Sequence, residues 1–332
     1  MLNVILDTWS SLAQSPWTGQ PNWLGYAAPA PSGAGGNFIS QRYDADEGSL
    51  HYKLFIPSGQ TGEPLPLIVM LHGGGQDADD FALGTGMNEL AELHKCYVVY
   101  PKQSISANWS MCWNWFEESH HQRGRGEPAL IAGITRKIIA EHAIDETRVY
   151  VAGLSAGGAM AVVLGRTYPE LFAAVGCHSG LAHGCATDSY SAMQAMKDGV
   201  DASAISHPAS ATDVTDVPVI VFHGDSDCTV HPSNSECIVQ QFLASHAAQV
   251  RHEQMDLSVS REAGRAGGRA FVRHVHKGKA GRVVAEHWTI KGSGHAWSGG
   301  TRRGSYADES GPNASREMLR FFLQRRRTRH LS

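Results

Sequence analysis

Gly153-Leu154-Ser155-Ala156-Gly157 is the stretch whose residue types and spacing most directly permit covalent chemistry. A serine hydroxyl is a weak nucleophile until a base takes its proton, and it must stand clear of its own backbone to meet a substrate. The pattern G-x-S-x-G meets the second need where a strand turns sharply into a helix. Here the β-branched run Val149-Tyr150-Val151-Ala152 precedes it and a helical pattern over 156–168 follows. The glycines are physically required, because close neighbours of a strained turn have no room for Cβ atoms. The helix N-terminus adds a positive dipole where an oxyanion would develop. Ser155 is therefore the candidate nucleophile.

Such a serine needs a base and an orienting acid, which in this arrangement follow in the order Ser, Asp or Glu, His, each at a strand's C-terminal end. The run Val219-Ile220-Val221-Phe222 leads into His223-Gly224-Asp225-Ser226-Asp227. The run His287-Trp288-Thr289-Ile290 leads into Lys291-Gly292-Ser293-Gly294-His295. His295 is the candidate base, in a loop of small residues just past the last sheet strand. The acid is Asp225 or Asp227: the loop has room to curl Asp227 toward the base, and the nearer aspartate is placed to cap the turn.

The third requirement is a pair of oxyanion donors. Leu71-His72-Gly73-Gly74-Gly75-Gln76 ends the run 67–71 with glycines whose N–H groups can point into a cavity. One donor is expected from Gly74 or Gly75 and the other from Ala156. Trp109, Trp113, Trp115 and Phe116 crowd one loop, and Trp297 follows the candidate base. Trp113, Trp115 and Trp297 are expected to line a substrate pocket, with packing of the loop core as the alternative. His274 and His276 alternate as metal ligands can, but lack a third nearby ligand. No metal or other cofactor is expected.

Positioning these residues calls for a layered fold. Apolar runs at 67–71, 97–100, 149–152, 173–177, 219–222 and 287–290 read as strands, several buried on both faces. Helical patterns fall at 127–142, with Pro128 in its first turn, at 156–168, and at 233–247, which opens on a capping box at Ser233-Asn234-Ser235-Glu236. A last amphipathic helix is expected at 314–324. Alternation of this kind predicts an α/β fold with a mainly parallel sheet covered on both faces. A hairpin is expected over 41–56 around Asp46-Glu47-Gly48. Residues 257–290 read as a Gly/Arg-rich turn region, then Phe271–His276 facing Val283–Ile290. Residues 1–40 read as an irregular arm, 41–325 as one catalytic domain, and 326–332 as a basic disordered tail.

Composition narrows the function classes. The 332 residues carry a formal net charge of -4, which argues against nucleic acid as main partner. An apolar content of 42% is enough for a large core. No run of ~20 apolar residues exists, so no membrane-spanning helix is expected. The N-terminus has no basic region, and Asp7 interrupts its apolar stretch, so it is not read as a signal peptide. Cys177/Cys185, Cys228/Cys237 and Cys96/Cys112 could pair, and six reduced thiols are the alternative. Oligomeric state is left open.

Taken together, LHGGGQ (71–76), CWNWF (112–116), RGRGEP (123–128), IDETRVYVAGLSAGGAM (144–160), HGDSDCTV (223–230) and GSGHAWSGG (292–300) resemble single-domain esterases of the polyhydroxybutyrate depolymerase type. Feruloyl and acetylxylan esterases are related to these. The resemblance covers roughly 41–325. It implies the α/β-hydrolase fold, Ser155 as nucleophile, His295 as base and, from the HGxxDxxV pattern, Asp227 as acid. It implies an ester substrate, small or polymeric. Without a signal, linker or substrate-binding domain in this chain, soluble oligomers, amorphous polyester or small acyl esters are expected rather than crystalline polymer.

Overall fold

The computed structural model describes residues 35–201, 217–249 and 257–327. Six strands form the parallel heart of its sheet: β3 (Leu65–Leu71), β4 (Tyr97–Lys102), β5 (Ile144–Leu154), β6 (Ala174–His178), β7 (Val219–Gly224) and β10 (Val283–Ile290). Antiparallel strands extend both ends: β1 (Asn37–Ala45) and β2 (Gly48–Ile56) beside β4, β9 (Arg269–Lys277) and β8 (Ser258–Ala266) beside β10. The order across the sheet is β1-β2-β4-β3-β5-β6-β7-β10-β9-β8. The continuous apolar runs are the parallel strands, because both their faces are covered.

Successive side chains on a strand point to opposite faces, and here each face meets helices. On one, Ile68, Met70, Tyr150, Ala152 and Phe222 join Phe81 of α1 (Ala78–Thr85), Met87 of α2 (Met87–His94) and Met318, Leu319 and Phe322 of α7 (Ala314–Leu323) in a single core. On the other, Val175 abuts Gly165 of α4 (Ala156–Thr167), where a Cβ would strike its side chain. Helices α3 (Gly126–Glu141) and α6 (Ser233–Gln249) pack near α4 and against β7 and β10 respectively. The interior stripe of α3 comprises Leu130, Ile131, Ile134 and Ile138. A shorter helix, α5 (Ser189–Asp198), follows β6.

Several expectations change. The hairpin around Asp46-Glu47-Gly48 forms, but it begins at Asn37, inside the segment read as an irregular arm; residues 1–34 of that arm lie outside the described residues. The Gly/Arg-rich region is itself a strand, β8, joined to β9 through Gly267 and Gly268, with φ of 56° and 89°. Paired positive-φ residues make the mirror-image turn that suits a hairpin's twist. Polar residues on both faces of this edge strand hid it. The capping box at Ser233 does not form: Ser233 N–H donates to His231 Nδ1, and Glu236 turns to His287 at 3.5 Å. In the basic tail, Arg326 pairs with Asp145 at 3.2 Å and Arg327 N–H donates to the Thr147 carbonyl. Residues 328–332 lie outside the described residues.

Candidate active site

Strand β5 ends at Leu154, helix α4 starts at Ala156, and Ser155 between them has φ 56° and ψ −120°. A non-glycine residue at positive φ is uncommon and must be held there by its surroundings. Ser155 N–H donates to the His178 carbonyl (2.9 Å), and the Ser155 carbonyl accepts from Ala159 N–H (2.9 Å). A Cβ on Gly157 would strike the carbonyl oxygens of Leu71 and His72, and one on Gly153 would strike the backbone of Gly157. The end of β3, the end of β5 and the start of α4 thus pack backbone to backbone. That close approach is why the pattern needs glycine.

Asp227 follows β7 and His295 follows β10, so both stand at the same strand-end edge as Ser155. Asp227 is buried. Its Oδ1 accepts N–H bonds from Thr229 and Val230, both 2.9 Å, and its Oδ2 lies 2.7 Å from His295 Nδ1. Burial works to raise the Asp227 carboxyl, but the charges and hydrogen bonds of His295 and His223 outweigh it and hold it well below the usual carboxylate range. With Nδ1 engaged, His295 Nε2 is the ring nitrogen left for proton transfer. Asp225 instead turns outward, accepting from Gly292 N–H at 2.7 Å and pairing with Lys291 at 3.1 Å. The open choice between the two aspartates is thereby a geometric one, and Asp227 is the partner of His295.

The glycine turn after β3 narrows the expected donors. Gly75 N–H already donates to the Ser110 carbonyl at 2.8 Å, and Gly73 N–H to Gln76 Oε1 at 3.0 Å. Gly74 N–H has no acceptor among the described residues. Ala156 sits at the first helical position, where N–H groups have no intrahelical partner. Gly75 therefore drops out of the expected set, and among the described residues Gly74 and Ala156 keep free N–H groups.

Buried polar side chains anchor this turn. The His72 ring contacts the Gly73 carbonyl through Nδ1 (2.8 Å) and accepts from Gln103 N–H through Nε2 (3.1 Å). Burial pushes His72 down to about 4, so it is neutral at pH 7. Gln76 Nε2 reaches Asp80 (2.9 Å) and the Ser305 carbonyl (3.0 Å). Glu127, in the first turn of α3, accepts from Gln103 Nε2, Asn114 N–H and Asn114 Nδ2. Burial pushes its carboxyl up to about 7 despite these hydrogen bonds.

The tryptophans are not where a pocket would need them. Trp113, Trp115 and Trp297 are at most 2% exposed. Trp113 Nε1–H donates to the His72 carbonyl (3.1 Å), and Trp297 Nε1–H to Ser315 Oγ (3.0 Å). They pack the loops, which was the alternative reading. Among the described residues the exposed aromatics are Tyr190, at 60%, Trp109, at 58%, and Tyr306, at 43%. The Tyr306 ring stands 6.5 Å from that of His295, on a backbone with φ 49°.

Sequence reasoning missed Tyr306, His178 and His223. His178 Nε2 accepts from Ser298 N–H (3.0 Å) while its ring stacks on Trp297 and Phe222. Burial pushes it down to about 3. Its carbonyl holds Ser155 and its ring holds the strand β11 (Trp297–Ser298) beyond His295. His178 and His223 both stand at the end of an apolar run, the positional signal that singled out His295. His274 faces His287 rather than a ligand set, with ring centroids 6.5 Å apart. Among the described residues no group of three or more His, Cys, Asp or Glu gathers as metal ligands do, and all six cysteines are free thiols.

Comparison with known proteins gives this geometry a context. The family profile described as esterase PHB depolymerase matches residues 50–268. Poly(3-hydroxyalkanoate) depolymerase C of Paucimonas lemoignei is 35% identical over 263 residues, 76% of this chain and 60% of that protein. Feruloyl esterase B of Neurospora crassa is 35% identical over 132 residues, 40% of this chain and 44% of that protein. The chain thus spans less than two thirds of these curated relatives. Among solved structures, an acetyl xylan esterase from Aspergillus awamori superposes with a TM-score of 0.60 at 21% identity, covering 77% of this chain and 94% of that one. That likeness, with the mainly parallel sheet between helices, is the α/β-hydrolase fold. The chain belongs to the esterase PHB depolymerase family.

Proposed function

We propose that this chain is a serine esterase that hydrolyses carboxylic esters through Ser155, His295 and Asp227. The observation that carries the reading is the 2.7 Å contact of buried Asp227 with His295, at the sheet edge that also presents the strained Ser155. His295 Nε2 takes the Ser155 proton as Oγ attacks the ester carbonyl. Gly74 and Ala156 N–H groups stabilise the oxyanion, and His295 hands the proton to the leaving alcohol. Water, deprotonated by the same imidazole, then cleaves the acyl-enzyme to release the acid. Asp227 stays ionised and keeps Nδ1–H of His295 in the required tautomer.

For substrate, the depolymerase relative favours short hydroxyalkanoate oligomers or polyesters. The feruloyl esterase relative favours a second reading, acyl groups carried on carbohydrate. The two use the same machinery and differ in alcohol and acyl pockets. A panel of p-nitrophenyl esters of rising chain length, 3-hydroxybutyrate oligomers and ethyl ferulate separates them by initial rate. Preference for the oligomers supports the first reading and preference for ferulate the second. Absence of hydrolysis on every ester overturns both.

A further inference from the structure

The carboxylate that holds His295 is shared with a second imidazole. Asp227 Oδ2 lies 2.7 Å from His295 Nδ1 and 3.3 Å from His223 Nε2. His223 is 1% exposed, at the end of β7. Its Nε2 also faces the Val230 carbonyl at 2.9 Å, and Val230 N–H returns a bond to Asp227 Oδ1. Nε2 thus faces two acceptors and carries the ring hydrogen. Nδ1 is buried without a hydrogen-bond partner among the described residues. A ring that only filled space would not need a nitrogen set between the Val230 carbonyl and the carboxylate.

We propose that His223 is a positioning residue for the proposed reaction, one that fixes Asp227 and moderates the negative charge Asp227 presents to His295. The proposal rests on the esterase reading above. Charge drawn toward His223 Nε2–H is charge not spent on stabilising the His295 imidazolium. Asp227 Oδ1 is already saturated by two backbone N–H groups, so Oδ2 is where the two imidazoles compete. Among the described residues, the other titratable groups around this cluster include His178 from the end of β6, the Tyr306 phenol beside His295, and the Asp225–Lys291 pair at the surface end of the same turn. They belong to other elements or to the surface, and substituting His223 leaves them in place.

The test is an isosteric pair, His223→Met and His223→Gln. Both side chains match the reach of the imidazole, and only Gln keeps an N–H near the position of Nε2. His295 must be neutral to act as base, and that requirement sets the acid limb of the kcat/KM profile. Without the His223 donor, Asp227 holds the imidazolium more strongly and the limb moves to higher pH, by about one unit if a charge-assisted bond is lost. His223→Gln returns the limb close to wild type. Equal displacement in both variants, or none in either, overturns the proposal, since a packing role would not tell them apart. A nitrogen-15 NMR spectrum of the intact wild-type protein needs neither turnover nor a folded variant. It is expected to show His223 with hydrogen on Nε2, and hydrogen on Nδ1 overturns the proposal. Failure of the esterase reading looks different: the wild type is inert on every ester, or Ser155→Ala stays active, whatever the NMR tautomer.

Discussion

Around Ser155 the backbone sets the geometry, whereas around Asp227 and His295 side chains do. At the elbow, three main-chain segments meet with no room for a Cβ on Gly153 or Gly157, and helix α4 begins at once. At the other end, His295 is held by one carboxylate, and the loop beyond it by the ring of His178. The first arrangement tolerates almost no change in size. The second tolerates size but not a change of donor or acceptor. Rigid backbone contact suits the proposed nucleophile, held at a strained angle, and a hydrogen-bonded imidazole suits a group proposed to gain and lose a proton.

The largest effect expected at the side-chain end is from Asp227→Asn. The amide would favour the wrong His295 tautomer, and kcat is expected to fall on the order of 10⁴-fold with little change in KM. Steady-state kinetics check it, and a loss below about tenfold would mean that Asp227 does not orient the base. At the backbone end the corresponding change is Gly157→Ala. Its Cβ meets two carbonyl oxygens that cannot swing aside, so urea unfolding should show a stability loss of about 3 kcal/mol or more. Unchanged stability would mean the elbow is looser than this packing implies.

A smaller effect sharpens the comparison at the glycine turn after β3, which mixes both kinds of support. Glu127 anchors the loop that occupies Gly75 N–H, and its carboxyl is raised from 4.5 to about 7 by burial. An acid raised on folding is most stabilising while protonated. Its contribution is full below about 4.5 and is lost as pH rises toward about 7. Unfolding midpoints measured at pH 5 and pH 8 should differ more for the wild type than for Glu127→Gln, by on the order of 1–2 kcal/mol. Equal differences in the two proteins would mean that Glu127 titrates as an exposed acid.

The same division explains what could be read from the chain beforehand. Backbone-built features leave short, contiguous signatures: the strand runs, Gly153–Gly157 and the glycine turn after β3 were all legible. Side-chain networks join residues far apart in sequence and leave none. Nothing local tells that Glu127 receives the Asn114 side chain, or that the His178 ring holds Ser298 N–H. Trp113, Trp115 and Trp297 looked like pocket walls because aromatic type does not reveal burial. Asp225 and Asp227 were separable from the residues alone only by loop reach; the distance to His295 distinguishes them. Strand β8 escaped because an exposed edge strand need not alternate.

The most direct test of the account is whether Ser155 Oγ is the atom that attacks. A fluorophosphonate ester probe forms a stable tetrahedral adduct only on a serine that an adjacent base activates. Peptide mass spectrometry of the intact chain after labelling is predicted to find one adduct, on the peptide carrying Ser155, and none after His295→Ala. An adduct on another serine, or labelling of Ser155 that survives His295→Ala, would contradict the account.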